Sequence, residues 1–396
     1  MRSLLIKNAT VITPKEVIDN GSVKVEHGII TEIGKNLDPE NLSVIDAQES
    51  VVMPGIIDIH TDAYDMEINP RPGANIPLAV AFRELERKMS GCGFTTVFHS
   101  LHLGYKAAEE NSRSKYSRAE IFEKVHNLSQ SRTLLKNKIH LRFEVSGVEA
   151  YETCLELIDK GYVGLLSVMD HTPGQGQQTK ERFIAMMVRN GKTEDVAKAQ
   201  FKEMISRPKI EGERLINLVQ RARKNHIHVA SHDDDTIEKV KFNHDLGIKI
   251  CEFPINIPTA TYATKLGMHV IGGASNVLRG GSMSDNLDVR QAIKARIVDT
   301  LCSDYYPAAI LHSVWKLATE GDVSWSEAVN LASLHPARAV NMHHQTGSIE
   351  TGKHADIIIV KTIDEVPMVT HTIVDGNLVS QAAVKVHHQK EEEVWS

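Results

Sequence analysis

The chain has 396 residues, 41% apolar and 24% charged, which is enough apolar material for a full-sized core and excludes a disordered polymer. Its formal net charge is -6, with lysine and arginine dispersed rather than clustered, so no nucleic-acid partner is expected. No apolar run approaches a membrane span, and the first eight residues hold too short an apolar run for a signal peptide; a cytoplasmic protein without membrane association is expected. Cys92, Cys154, Cys251 and Cys302 lie far apart with no Cys-x-x-Cys pair, so they read as buried thiols.

In chain order, residues 1–52 read as short strands at 3–8, 22–26, 29–33 and 43–46, punctuated by Gly21, Gly28 and Gly34. From 53 to 345, apolar strand-like runs alternate with helical periodicity, the pattern of βαβ units around a parallel sheet. Strands are expected at 52–60, 95–100, 139–145, 164–170, 228–231, 248–253, 269–273 and 297–303. Helices are expected at 78–90, 118–135, 151–160, 211–225, 236–246, 260–266, 286–294 and 324–334. That series fits a (β/α)8 TIM-like barrel, which commonly takes about 250 residues and so leaves room for a second module. The polar segment 172–207 is too long for an ordinary loop, and such excursions at the C-terminal rim of a barrel usually face the substrate. Short strands return at 355–360 and 368–376, so 1–52 and 346–385 are expected to combine into one small β-sandwich domain. The charged end, 386–396, is expected to be a flexible tail.

The strand ends carry the chemistry. His60 and Asp62 close the first strand, and residues two apart on a strand share a face, so both can turn to one cation. His99 and His102 flank the end of the second strand, and Glu144 closes the third. Asp170-His171, His232-Asp233-Asp234, Glu252 and Asp304 follow the fourth, fifth, sixth and eighth. Any one could cap a helix or sit in solvent. In a (β/α)8 barrel, however, all these ends meet at one rim, where such enzymes keep their active sites. Imidazole with carboxylate suits zinc, manganese or a similar divalent ion, in one copy or two. Such an ion lowers the pKa of an attacking water, and Asp304 can take the proton. That chemistry serves amides, esters and phosphoanhydrides alike. Arg71, Arg142, Lys180 and Arg279 are cations near the same rim, and Arg279 precedes Gly280-Gly281, where backbone N–H groups can approach a phosphate. Gln175, in the glycine-bearing run from Asp170 to Gln178, adds an amide donor. Asp170 and His171 are adjacent and cannot both point inward from a regular strand; the turn at Pro173-Gly174 favours His171.

These residues bring out a resemblance. The run Met53-Pro54-Gly55-Ile56-Ile57-Asp58-Ile59-His60, the opening Glu26-His27-Gly28-Ile29-Ile30 and the closing Gly347-Ser348-Ile349-Glu350-Thr351-Gly352-Lys353-His354-Ala355-Asp356 resemble the amidohydrolase superfamily. More narrowly, His60-Thr61-Asp62 with Asp65, Pro70-Arg71-Pro72, Ser167 to Gln175, Ala230-Ser231-His232-Asp233-Asp234, Asn276 to Ser282 and Ser303-Asp304-Tyr305-Tyr306-Pro307 resemble the alpha-D-ribose 1-methylphosphonate 5-triphosphate diphosphatase family of the carbon-phosphorus lyase pathway. The resemblance spans nearly the whole chain.

It implies release of pyrophosphate from a ribose 5-triphosphate in phosphonate catabolism, with a phosphorylated ribose as small-molecule partner; a homo-oligomer, a dimer, is expected. It makes His60, Asp62, Glu144, His171, His232 and Asp304 candidate ligands for Zn2+ or Mn2+, with Asp304 and His232 the catalytic candidates. Arg71, Arg142, Gln175, Lys180, Arg279 and Tyr305 become candidates for substrate binding, and Asp170, Asp233 and Glu252 stand behind them. Most amidohydrolases carry His-x-His after the first strand and a histidine after the sixth; this chain has His60-x-Asp62 and Glu252. Glu144 can supply the bridge that others take from a carbamylated lysine. The rival enzyme reading is a cyclic amidase or deaminase, which needs a polar pocket but no cluster of cations. A barrel relic serving as an oligomer scaffold would have lost these donors.

Overall fold

The computed structural model describes residues 3–71, 73–104, 115–282 and 286–383, and the alternation of the sequence becomes two eight-stranded sheets. The first strands are β1 (Leu4–Ile12), β2 (Val17–Glu26), β3 (Ile29–Gly34), β4 (Ser43–Asp46) and β5 (Ser50–Pro54). The barrel follows with β6 (Ile56–Thr61), β7 (Phe94–Leu103), β8 (Lys136–Glu144), β9 (Leu165–Met169), β10 (His228–His232), β11 (Ile250–Glu252), β12 (His269–Gly273) and β13 (Thr300–Cys302). The chain then makes β14 (Ile357–Ile363), β15 (Val366–Val374) and β16 (Asn377–Gln381). Expected tail residues 386–396 lie outside the described residues.

The terminal sheet runs β16-β15-β14-β5-β1-β2-β3, with β4 beside β1. Its two halves join where β5 and β14 pair antiparallel, Val52 opposite Ile359. The two chain ends thus form one continuous sheet, and its far halves meet where Ala355 N–H donates to Gly28 O at 2.8 Å and Ile30 N–H to Lys353 O at 2.9 Å. Alternate residues of its strands, among them Ile6, Val11, Val23, Val25, Ile357, Ile359 and Ile373, bury a core separate from that of the barrel.

The expected first strand, 52–60, proves to be two strands in different sheets, and the chain changes over at Gly55. Glycine is needed at that point, because a Cβ at Gly55 would lie 2.1 Å from Thr95 Cγ2, a separation no side chain tolerates. The long polar segment also holds structure, since helices Lys180–Arg189 and Glu194–Ile205 pack through Phe183 and Phe201, whose rings lie 5.9 Å apart. Thr179 and Thr193 cap them by accepting from Arg182 N and Val196 N. No helix among the described residues is long and apolar enough to cross a membrane. The four cysteines are free thiols, three of them buried.

The barrel strands pair in parallel from β6 to β13, and a parallel bridge between Thr61 and Asp304 closes the ring. Two backbone bonds fasten the seam: Asp304 N–H donates to His60 O at 3.1 Å, and Asp62 N–H donates to Asp304 O at 2.8 Å. Side chains two apart face the same way, so the strands build layers. Phe98, Leu165, Ala230 and Ile250 form an apolar floor. Two residues further on, Ser100, Ser167, His232 and Glu252 form a buried polar layer above it.

Asp58, two residues before His60, lies in the floor and straps the seam. Its Oδ1 accepts from Ser303 N–H and from His60 N–H, both at 3.2 Å, while its Oδ2 is buried without a partner. Burial pushes its carboxyl up to about 6, against the pull of the Ser303 hydrogen bonds. An acid raised in this way is protonated in the folded state at pH values where the unfolded chain has already released the proton. Its stabilising share is therefore full below the ordinary carboxylate value and is lost as pH rises through about 6. The loss amounts to about 3 kcal/mol at most. Urea denaturation between these limits should show the parent losing stability relative to Asp58→Asn as pH rises; parallel curves would contradict the assignment. Gly55→Ala should cost about 1–3 kcal/mol through the clash with Thr95, read as a fall in Tm; an unchanged Tm would contradict the close approach.

Candidate metal centre

The polar layer is built around one carboxylate. Glu252 is completely buried at the end of β11, in a position where water cannot neutralise it. His60 Nδ1 lies 3.2 Å from its Oε1, and His232 Nδ1 lies 3.3 Å from its Oε2. Ser167 Oγ donates to Oε2 at 2.6 Å. The His60 and His232 rings stack, 5.6 Å between centroids and 14° from parallel, with the Phe253 ring edge-on to both. Burial alone would raise the Glu252 carboxyl, but the facing His60 imidazole reverses this and holds it well below the usual carboxylate range. Burial pushes His60 down and Glu252 pulls it up, with a net rise. Burial drives His232 well below the ordinary imidazole value, so that ring stays neutral.

His140 belongs to this layer too. Its Nε2 lies 2.6 Å from Ser167 Oγ and its Nδ1 3.3 Å from Ser100 Oγ, and burial lowers it to about 3. It sits mid-strand, where the rule of strand-end donors gives no sign of it. The available signal is parity: His140, Arg142 and Glu144 occupy alternate positions of β8 and share a face.

Above the layer lies a polar cavity of about 330 Å3, lined by His60, Arg142, Asp170, His171, Gln175–178, His232, Asp233, Phe253 and Asp304. The seam brings Asp304 in beside His60, and burial raises its carboxyl above the ordinary value while His60 draws it down. Asp304 and Asp233 both have left-handed backbones, with φ of 57° and 53°, which turns each side chain off its strand direction. Asp62 accepts from Arg142 Nη1 at 2.8 Å, so the carboxylate of the His-x-Asp pair is shared with a guanidinium. Glu144 holds His171 twice, through the backbone N–H at 3.0 Å and Nδ1 at 2.7 Å. Asp170 is turned to Lys209 Nζ at 2.7 Å and accepts from Thr172 N–H at 3.1 Å. Gln177 Nε2 donates to Asp233 at 2.6 Å.

Among the described residues, three donor sets place one ligand atom from each residue within 4.8 Å of the others: His60 with Asp62 and Asp304, His171 with His232 and Asp233, and His60 with His140 and Glu252. Mixed imidazole and carboxylate donors at that spacing fit a divalent cation of the zinc or manganese kind. A second cavity of about 130 Å3 shares Gln177, Phe253 and Asp304 with the first and adds Arg279, Gly281, Ser282 and Tyr305, so one cleft runs from the donors to Arg279, which ends helix Ala274–Arg279. The other two cations lie elsewhere: Lys180 Nζ packs 5.8 Å over the Phe201 ring, and Arg71 is exposed and outside both cavity linings. His99 faces the helices, its Nε2 2.9 Å from Asn137 Oδ1, and His102 borders a separate small cavity on the far side of Glu144 and His171.

Comparison with known proteins agrees with this architecture. The model of the amidohydrolase family matches residues 51–379. The alpha-D-ribose 1-methylphosphonate 5-triphosphate diphosphatase of Escherichia coli strain K12 is 30% identical over 390 residues, covering 95% of this chain and all of that protein. An adenine deaminase of Clostridium botulinum strain Loch Maree is 27% identical over 148 residues, 35% of this chain and 24% of that one. Among solved structures, the dihydropyrimidinase of Brevibacillus agri NCHU1002 superposes with a TM-score of 0.66 at 13% identity, over 96% of this chain and 95% of that one. The chain belongs to the amidohydrolase family, and it is a hydrolase of that superfamily's (β/α)8 barrel type.

Proposed function

We propose that this chain is a metal-dependent diphosphatase that converts alpha-D-ribose 1-methylphosphonate 5-triphosphate to the 5-phosphate, releasing pyrophosphate. The observation that carries this reading is the 30% identity with the Escherichia coli diphosphatase over that protein's entire length. The deaminase match, by contrast, covers 35% of this chain. The cleft supports the same reading, because it joins a set of metal-type donors to Arg279, the last residue of helix Ala274–Arg279, next to Gly280-Gly281.

His60, Asp62, His171, His232 and Asp304 would hold the ion or ions, zinc or manganese, while Glu144, expected as a ligand, has both oxygens on His171 and stands behind that ring. Bound there, a divalent cation supplies a lowered pKa for water and offsets phosphate charge. Asp304 accepts the proton of the attacking water, and its burial-raised carboxyl is better matched to that task than an ordinary aspartate. Water adds to a phosphorus of the anhydride between the first and second phosphates, the P–O–P link breaks, and pyrophosphate leaves. Arg279 meets the departing phosphates at the outer end of the cleft, and Arg142, steered by Asp62, balances charge at the inner end. Gln175 and Tyr305 line the path between and orient the substrate.

Phosphorus NMR of a reaction with the ribose triphosphate should show free pyrophosphate and a ribose 5-phosphate. Turnover of cyclic imides or adenine with no pyrophosphate from the triphosphate would overturn the reading in favour of an amidase or deaminase. Arg279→Ala should lower kcat/KM for the triphosphate roughly 10- to 100-fold, the scale of a charge-assisted hydrogen bond, with unchanged metal content. Unchanged kinetics would remove Arg279 from the mechanism. His232→Ala should lower the metal bound per chain, whereas Asp170→Asn should leave it intact, because Lys209 already holds that carboxylate. Metal analysis of the two purified variants decides, and equal losses would contradict the division.

A further inference from the structure

We propose that Glu252 is a positioning residue rather than a metal ligand: it fixes His60 and His232 in the tautomer that leaves Nε2 of each ring to the ion, and it withdraws His140 from ligation. The inference rests on reading the cavity as a metal centre but not on any particular substrate.

The hydrogen-bond chain assigns every proton. An ionised carboxylate only accepts, so the ring nitrogens facing it, His60 Nδ1 at 3.2 Å and His232 Nδ1 at 3.3 Å, must carry the hydrogens. Ser167 gives its hydroxyl hydrogen to Glu252 Oε2 at 2.6 Å and can therefore only accept from His140 Nε2, also at 2.6 Å. His140 Nδ1 then has no hydrogen and accepts from Ser100 Oγ at 3.3 Å. Both nitrogens of His140 are engaged within the protein. His60 and His232 each have one nitrogen held, both line the cavity, and each shares a donor set with the rim carboxylates.

Glu252 is moreover poorly placed to ligate. Both its oxygens are occupied, Oε1 by His60 and Oε2 by Ser167 and His232, and it is fully buried, whereas Asp233 and Asp304 line the cavity. A carboxylate behind a metal-binding histidine makes the ring a better donor and sets its orientation. Here a single carboxylate does so for two histidines, which also accounts for the near-parallel stacking of their rings.

Nitrogen NMR of the metal-free full chain, at alkaline pH where the rings are neutral, reads the tautomers directly. His60 and His232 should carry the hydrogen on Nδ1 and His140 on Nε2. An Nε2–H form at His60 or His232 would overturn the proposal without any variant being made and without bearing on the substrate. Glu252→Gln keeps the shape but has one acceptor oxygen in place of two, so at least one of His60 and His232 should leave the Nδ1–H form. Calorimetric titration with zinc should show the same number of ions bound to this variant, roughly 10- to 100-fold more weakly. Loss of a whole ion with the tautomers unchanged would make Glu252 a ligand and refute the positioning role.

Discussion

The parallel bridge between Thr61 and Asp304 is the contact on which the site depends. Until the eighth strand lies against the first, His60 and Asp62 have no Asp304 beside them, and the donor set of the seam does not exist. The same closure carries Asp58, whose carboxylate takes backbone hydrogens from both sides of the join. Folding and site assembly are thus one event at this edge of the barrel. Burying Asp58 opposes stability as its proton is lost, and the two backbone hydrogen bonds it accepts offset only part of that cost.

A second constraint is the polar layer between the apolar floor and the cavity. Burying Glu252, three imidazoles and two serines would be prohibitive if any were left unpaired, and the structure answers by threading them into one chain of donors and acceptors. The layer gives the rings above the floor fixed orientations. The rim above it is less rigidly paired. Arg142 is tied to Asp62 and His171 to Glu144, but the second half of the cleft is framed by the exposed Arg279 and Tyr305. An inner end of fixed donors and an outer end of longer, freer side chains suits a substrate whose reacting atoms must be held and whose leaving group must depart.

The barrel was legible because eight apolar runs of strand length alternate with helical periodicity, and each run has a strand within it in the structure. The His60-x-Asp62 pair was legible through strand parity, and His232, Glu252 and Asp304 through their place at strand ends. What was not legible depended on contacts between remote residues. The break at Gly55 was marked only by the dipeptide Pro54-Gly55 inside an otherwise unbroken apolar run, and the approach of Thr95 that demands glycine there could not be read from the sequence. His140 lies within a strand instead of at its end, so only the shared parity with Arg142 and Glu144 could have marked it. Charge alone did not separate Arg279, in the cleft, from Lys180, whose ammonium the helix pair of 180–205 directs onto Phe201.

The most direct measurement is anomalous diffraction at the zinc edge from crystals of the full chain grown with the metal. A peak is expected against the seam, roughly 2.0–2.2 Å from His60 Nε2 and from an oxygen of Asp304, with Glu252 outside bonding distance. Zinc seated elsewhere, or His60 and Asp304 left without metal between them at saturating zinc, would contradict a metal centre assembled by closure of the barrel.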